Sequence, residues 1–238
     1  MTPRNHQQDD LRELLGPPVP PVGFAERMLQ SVRERSERGA AALTFDIAAS
    51  AEGIAKLRPG AGRTEADSRR ARTLAEQARE ELAEYLQGLR SFFTVPVDLS
   101  GVARFQRGVL TAARTIPFGE VRPYRWIAER IGAPKAVRAV GTALGRNPVP
   151  IVVPCHRVVR SDGSLGGYAF GLDLKTRLLD LERETPALVG SDTTRVVCRH
   201  GCADEQRIGE RHRVTFSSVR EARAAGYRPC RRCLPTDH

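Results

Sequence analysis

The chain has 238 residues, of which 40% are hydrophobic and 28% charged, with a formal net charge of +10. This describes a soluble globular protein of about one to three domains. It excludes a helical membrane span, because no apolar stretch approaches the roughly 20 residues such a helix needs. The polar start from Met1 to Gly16 has no apolar core and does not read as a secretory signal, so a reducing, cytoplasmic setting is expected for the five cysteines. The positive charge comes almost wholly from arginine, whose planar head suits phosphate and base contacts, although a coding bias toward Arg and Ala would raise the charge as well.

Residues 1–41 combine a polar start, the proline-rich patch Pro17 to Pro21 and a short charged helical stretch, and read as a peripheral extension. From Ala42 the pattern alternates, with Leu43, Phe45 and Ile47 on one side and Gly53 to Leu57 as a hairpin partner. Leu74, Ala78, Leu82, Tyr85, Leu86 and Leu89 then recur at helical spacing, with Gly88 near the end. Residues 42–97 are therefore expected to form a small α+β unit.

Beyond Ser100, taken as an N-cap, Val102, Phe105, Val109, Ala112 and Ile116 step along one helix face. Two short helices are expected at Pro123 to Ile131 and Pro134 to Leu144, each opened by proline and closed by Gly132 or Gly145, in the layout of a helix-turn-helix. The β-branched run Val149 to Val153 reads as a strand that delivers Pro154 and Cys155, and a later helix is expected from Asp173 to Glu182. Residues 98–184 make one unit, 185–192 the linker, and 193–238 a cysteine-bearing unit with a short helix near Ser217 to Ala225.

Every cysteine falls in a chemical constellation. Cys155 adjoins His156 and Arg157, a setting that could lower the pKa of a thiol from its reference of about 8.5. Adjacency alone leaves a nucleophile and a small buried hydrophobe both open. Cys198, Cys202, Cys230 and Cys233 form a CxxxC and CxxC set, two close pairs of the kind that wrap four thiolates around zinc. His200 and His212 lie nearby as less favoured alternative ligands.

Residues 82–182 resemble the O6-alkylguanine-DNA alkyltransferase family, also called methylated-DNA-protein-cysteine methyltransferases. The resemblance runs through Glu84-Tyr85-Leu86-Gln87-Gly88, Phe105-Gln106, Ile116 to Glu120, Ala136 to Gly141, Asn147-Pro148, Pro154-Cys155-His156-Arg157-Val158, Gly167-Tyr168 and Leu178 to Glu182. It implies a ribonuclease H-like α+β amino-terminal unit followed by a helix-turn-helix unit that carries the chemistry. Cys155 would accept an alkyl group from O6 of guanine in double-stranded DNA, once per molecule and as a monomer. His156 would take the thiol proton through a water, Glu182 would orient His156, and Asn147 would tie the end of the recognition helix to the nucleophile. Tyr124 would place a hydroxyl near N3 of the departing guanine. Arg138 would fill the gap left by the flipped base. Gly141 and Ala143 would let the second helix approach the minor groove, so binding would be salt-sensitive with little sequence preference. Tyr168, Ala169 and Phe170 would line the substrate pocket. Where many members have a glycine in the loop after the tyrosine, this chain has Tyr168-Ala169-Phe170-Gly171, and Phe170 would crowd the pocket, which implies good activity on methyl adducts and poor activity on benzyl ones. Pro123 replaces a common serine.

Residues 193–235 also resemble the zinc domain of Ada methylation-response proteins through Thr193-Thr194, Cys198-Arg199, Cys202, Ala222, Ala224 to Cys230 and Arg232 to Pro235. That resemblance implies a Zn²⁺ cofactor and repair of methylphosphotriesters with Cys198 as acceptor. Methylation would remove one negative charge from the centre and tighten DNA binding. The residues leave a structural or DNA-docking zinc site open as the less favoured alternative. Val197 departs from the family, where an aromatic precedes the cysteine. Two rival readings are a non-enzymatic recognition protein, which intact Cys155, His156 and Glu182 argue against, and a methylation-responsive regulator, which lacks a second helix-turn-helix here.

Overall fold

A computed structural model describes residues 43–236 of the chain, so the expected extension at 1–41 lies outside the described residues. Strand β1 (Phe45–Ala49) buries Phe45, Ile47 and Ala49 on one face, as period-two alternation requires. β2 (Ile54–Pro59) returns antiparallel to it, pairing Phe45 with Pro59 and Ala49 with Ile54. β3 (Thr64–Ala66) adds in parallel on the other side, giving the order β2-β1-β3. Helix α1 (Arg69–Leu86) starts where the Ser68 side chain accepts from the Ala71 N–H, and buries Ala71, Ala75, Ala78, Leu82 and Tyr85 in the core. Gly88, at φ +72°, turns the chain away just past the helix end. Leu89, expected on the apolar stripe, therefore falls outside the helix and is 41% exposed.

Helix α2 (Arg104–Ala113) begins later than Ser100, with Ala103 in the N-cap place. Ser100 is instead held in a turn by Asp98, whose carboxylate accepts its N–H at 2.8 Å. Val109 and Ala112 face inward as expected, but Phe105, one turn earlier, is exposed. A short strand, β4 (Arg122–Pro123), leads into α3 (Tyr124–Arg130), and α4 (Val137–Gly145) follows. Pro134 and Lys135 form a turn rather than the first residues of α4. The helix pair packs together and against α2.

Residues 149–153 are not a strand. They form a buried turn closed by a single bridge between Pro150 and Val153. The Asn147 side chain supplies what a neighbouring strand would: Nδ2 donates to the Val153 carbonyl at 2.9 Å, and Oδ1 accepts from the Val149 N–H at 3.0 Å. Ile151 sits in this turn at φ +72°, a left-handed conformation that costs a β-branched residue about 1–3 kcal/mol. The turn is sealed, with Val149, Ile151 and Val153 all buried.

A 3-10 turn (Cys155–Arg157) runs into β5 (Val158–Val159), which pairs in parallel with β4. Helix α5 (Leu172–Glu184) closes this part of the chain. Within the stretch expected as a linker, 185–192, β6 (Leu188–Ser191) is an internal strand with every residue buried. It pairs with β7 (Val196–Arg199) on one side and β8 (Arg213–Phe216) on the other, and β9 (Arg228–Pro229) completes the order β8-β6-β7-β9. α6 (Val219–Ala224), capped by Ser218, covers this sheet over its own small core of Leu188, Val197, Phe216, Val219, Ala222 and Tyr227. The fold class is mixed α and β, with the larger core running from β1 to α5.

Candidate functional site

Cys155 opens the 3-10 turn and is only 5% exposed. Burial pushes its thiol pKa up to about 11, opposed by the Asn147 amide, whose Nδ2 donates to Sγ at 3.1 Å, and by the charge of Lys175. One residue, Asn147, thus shapes the turn before the cysteine and holds its sulfur.

His156 is fully buried, and its Nε2 lies 2.8 Å from Glu182 Oε1. The carboxylate accepts, so Nε2 carries the proton and Nδ1 is the lone-pair nitrogen. Nδ1 is buried with no hydrogen-bond partner among the described residues. Burial lowers the imidazole pKa despite the opposing pull of Glu182, and keeps the ring a neutral acceptor near pH 7.

Glu182 is the hub. Burial works against its charge, yet Arg157 and the His156 hydrogen bond hold its carboxyl well below the usual range. Arg157 Nε donates to both carboxylate oxygens at 3.0 Å, its Nη2 to Oε1 at 2.8 Å, and its Nη1 to the Ile116 carbonyl at 2.7 Å. The Gly119 N–H donates to Oε2 at 3.0 Å, and the Tyr85 hydroxyl donates to Oε1. Tyr85, Arg157 and Gly119 in these roles were not read from the sequence. Tyr85 looked like one more position on an apolar helix stripe. The available signals were its place in the Glu84 to Gly88 run that carries the family resemblance and its phenol, since a buried Tyr hydroxyl needs a partner. Lys175 was also missed. It is buried on α5 and its ammonium donates to the carbonyls of Val158 and Leu165, tying the strand after the cysteine to the loop before Tyr168.

Tyr124, the first residue of α3, is half-buried, with its hydroxyl 3.5 Å from the Gly167 carbonyl. Burial and the nearby Cys155 raise its pKa. A Cβ at Gly166 would stand 2.7 Å from that hydroxyl, so glycine is required for the loop to pass. The Tyr168 ring meets His156 edge-on at 6.4 Å and Phe170 at 5.9 Å, which brings Phe170 to the same site. Ala169 is exposed beside them. On α4, Arg138 is exposed, while Gly141 lies against the Tyr124 ring. Ala143 is 6% exposed and faces the core, so its side chain is not on the open face of the helix, although its small size still lets α2 approach: Gln106 Nε2 donates to its carbonyl at 3.2 Å.

The ligand atoms of Cys198, Cys202, Cys230 and Cys233 all lie within 4.8 Å of one another. The backbone N–H groups of Arg199 and Arg232 donate to the sulfurs of Cys233 and Cys230 at 3.3 Å, as suits thiolate acceptors. Four soft donors so arranged fit a metal ion. His200 and His212 are outside the cluster. His200 Nε2 donates to the Gly88 carbonyl at 3.1 Å, and His212 pairs with Asp192. The CxxxC loop docks on the segment after α1: Ser91 N–H donates to the His200 carbonyl at 3.0 Å and Ser91 Oγ to the Ala187 carbonyl at 3.0 Å. At Gly201, φ +88°, a Cβ would meet the Leu89 carbonyl oxygen at 2.9 Å. Phe92 packs on the cysteines, flanked by the guanidinium groups of Arg90 and Arg199. Cys198 is consequently 2% exposed, and Cys233 is the one cysteine of the set that is half-exposed.

Fold and site together define a protein with a buried, amide-held thiol, a histidine locked to a carboxylate, a helix-turn-helix beside them, and a separate four-thiolate centre. Residues 104–184 match the family model of the 6-O-methylguanine DNA methyltransferase DNA binding domain, and residues 180–236 match that of the metal binding domain of Ada. The chain is 55% identical over 104 residues to a methylated-DNA-protein-cysteine methyltransferase of Mycolicibacterium paratuberculosis, covering 44% of this chain and 62% of that protein. It is 49% identical over 106 residues to the protein of that name in Methanosarcina acetivorans, covering 44% of this chain and 67% of the relative. A crystal structure of a variant of Mycobacterium tuberculosis OGT superposes with a TM-score of 0.50 at 35% identity, over 60% of this chain and 93% of that one. The chain belongs to the methylated-DNA-protein-cysteine methyltransferase family. It spans 57% to 64% of the first three curated relatives.

Among the described residues, no helix is long and apolar enough to cross a membrane.

Proposed function

We propose that the protein repairs alkylated double-stranded DNA by moving an alkyl group from O6 of guanine to Cys155. The observation that carries this reading is the joint placement of Cys155, held by Asn147, and of His156, held by Glu182 with Nδ1 left to accept a proton. In the step, the Cys155 sulfur forms a bond to the alkyl carbon as the bond from that carbon to O6 breaks. The thiol proton passes through a water to His156 Nδ1. Charge developing on the guanine is met by the Tyr124 hydroxyl, and the guanine, still in the DNA, becomes neutral by taking up one proton from solvent, to which His156 returns the thiol proton. A thioether is too poor a leaving group to regenerate the thiol, so each molecule acts once.

Arg138 is the intercalating residue in this reading, and Gly141 allows close approach of α4 to the minor groove. Tyr168, Ala169 and Phe170 bound the pocket. Residues 42–97 serve as the ribonuclease H-like unit, 98–184 as the helix-turn-helix unit, and the chain from β6 onward as the metal unit. The metal is zinc, held by Cys198, Cys202, Cys230 and Cys233. Bound to four thiolates, it would keep them deprotonated at neutral pH. The match to the Ada metal binding domain favours a second acceptor role for Cys198 toward methylphosphotriesters. With Phe92 on the cluster, that reaction requires the CxxxC loop to part from the segment after α1.

Peptide mass spectrometry after incubation with DNA bearing either O6-methylguanine or a methylphosphotriester tests both roles. Methyl on Cys155 from the first DNA supports repair at guanine, and its absence sinks that reading. Methyl on Cys198 from the second supports backbone repair, and its absence leaves the metal a structural part.

A further inference from the structure

Tyr85 lies near the end of α1, fully buried, 97 positions before Glu182. Phe93 and Phe118 pack on its ring, with centroids 5.2 and 6.0 Å away. Its hydroxyl donates to Glu182 Oε1, the same oxygen that accepts from His156, and stands 3.4 Å from His156 Nε2. A phenylalanine would fill this volume without the about 1–3 kcal/mol at stake when a buried hydroxyl is left unpaired. A phenol here therefore points to a task for the hydroxyl.

We propose that Tyr85 is a positioning residue for proton transfer: its O–H shares the Glu182 charge, fixes the Nε2–H tautomer of His156, and keeps that imidazole a neutral base. The inference rests on the reading of Cys155 as the alkyl acceptor. The groups facing His156 set the direction of the effect. From α5 come Glu182, which favours a charged imidazole, and Lys175, which opposes it. From its own turn come Arg157, which also opposes charge, and the neutral Cys155 thiol. Tyr168 faces it edge-on from the loop before α5, and Tyr85 reaches it from α1. The Tyr85 hydroxyl is thus a neutral donor that draws Glu182 charge away from the ring. Without it, the carboxylate attracts a proton to His156 more strongly, and the base is lost at a higher pH.

The test is Tyr85→Phe in the full, metal-loaded chain, with single-turnover methyl transfer to Cys155 measured from pH 5 to 9. The acid limb should move up by about one unit, which is an about tenfold slower transfer on that limb, with rates converging toward the unsubstituted protein at high pH. Replacing Tyr85 alone with 3-fluorotyrosine, a more acidic donor, should restore the limb or move it down. A uniform loss of rate at every pH, with the limb unmoved, would show a packing role only and overturn the proposal. A ¹⁵N NMR titration of His156 reads the same shift without any DNA. Should the unsubstituted protein fail to methylate Cys155, the repair reading falls, while the His156 titration still decides the role of Tyr85.

Discussion

Replacing Glu182 with Gln removes one charge from the most heavily hydrogen-bonded side chain of the site and keeps its shape. The Arg157 and Glu182 side chains are 9% and 1% exposed, so the guanidinium left behind has little water to replace its partner. The Gln amide cannot reproduce the carboxylate. Wherever its NH₂ sits, it meets donors, from Gly119 N–H and Arg157 Nε on the Oε2 side or from Tyr85, His156 and Arg157 on the Oε1 side. Breaking a buried pair in this way costs about 3–5 kcal/mol. At roughly 2–4 °C per kcal/mol for a domain of this size, thermal unfolding should fall by about 6–20 °C. Adding Arg157→Met removes the stranded cation and should recover a large part of that loss, while methyl transfer stays low because His156 still lacks its charged carboxylate partner. The assays are thermal unfolding followed in the metal-loaded protein and single-turnover transfer to Cys155. A fall of less than about 2 °C for Glu182→Gln, or a double variant no more stable than the single one, would refute the buried-charge argument. The pH dependence has a definite sign. The folded carboxyl is depressed below its unfolded value of about 4.3, so its stabilisation is complete above that pH and fades as pH falls through the folded value. The unsubstituted protein should therefore lose stability on acidification below about pH 4 more steeply than Glu182→Gln does.

Asn147→Ala removes the amide that holds both the Val153 carbonyl and the Cys155 sulfur. It should cost about 1–3 kcal/mol in denaturant unfolding and slow methyl transfer by about tenfold or more. Phe170→Gly should open the site beside Tyr168 and raise the rate on O6-benzylguanine relative to O6-methylguanine; an unchanged ratio would remove Phe170 from the pocket wall. Chelating the metal should abolish amide-exchange protection in the sheet from β6 to β9 and at Ser91, which is bonded to the His200 carbonyl. Transfer to Cys155 should persist within about twofold, since metal folding energy is local to the unit it holds together. A complete loss of Cys155 activity on chelation would mean that the two parts fold as one.

Much of the fold was legible because helical and alternating spacing report which face is buried. The α1 stripe and the alternation of β1 appear where the sequence put them. The failures have local causes. Phe105 continued the α2 pattern on paper, but the helix starts only at Arg104 and this ring, on its second residue, is exposed. Val149 to Val153 carry strand-forming side chains, yet Asn147 satisfies their backbone and bends them into a turn. Leu188 and Val189 sat in a stretch with Pro186 and Gly190, which suggested a linker, until partners at β7 and β8 made them an internal strand.

The sequence by itself determined the chemistry on offer: one thiol beside a histidine, four thiolates in two close pairs, and a helix pair bearing arginines. Those choices are covalent and local, so they survive without any knowledge of contacts. Only the tertiary structure decided that Arg157, Gly119 and Tyr85 would join His156 on Glu182, the four partners coming from three separate stretches of chain. It also decided that Phe92 would cover the metal cluster. Periodicity says that a side chain is buried, but which buried polar atoms meet depends on how the elements pack, and that is fixed by the whole core at once.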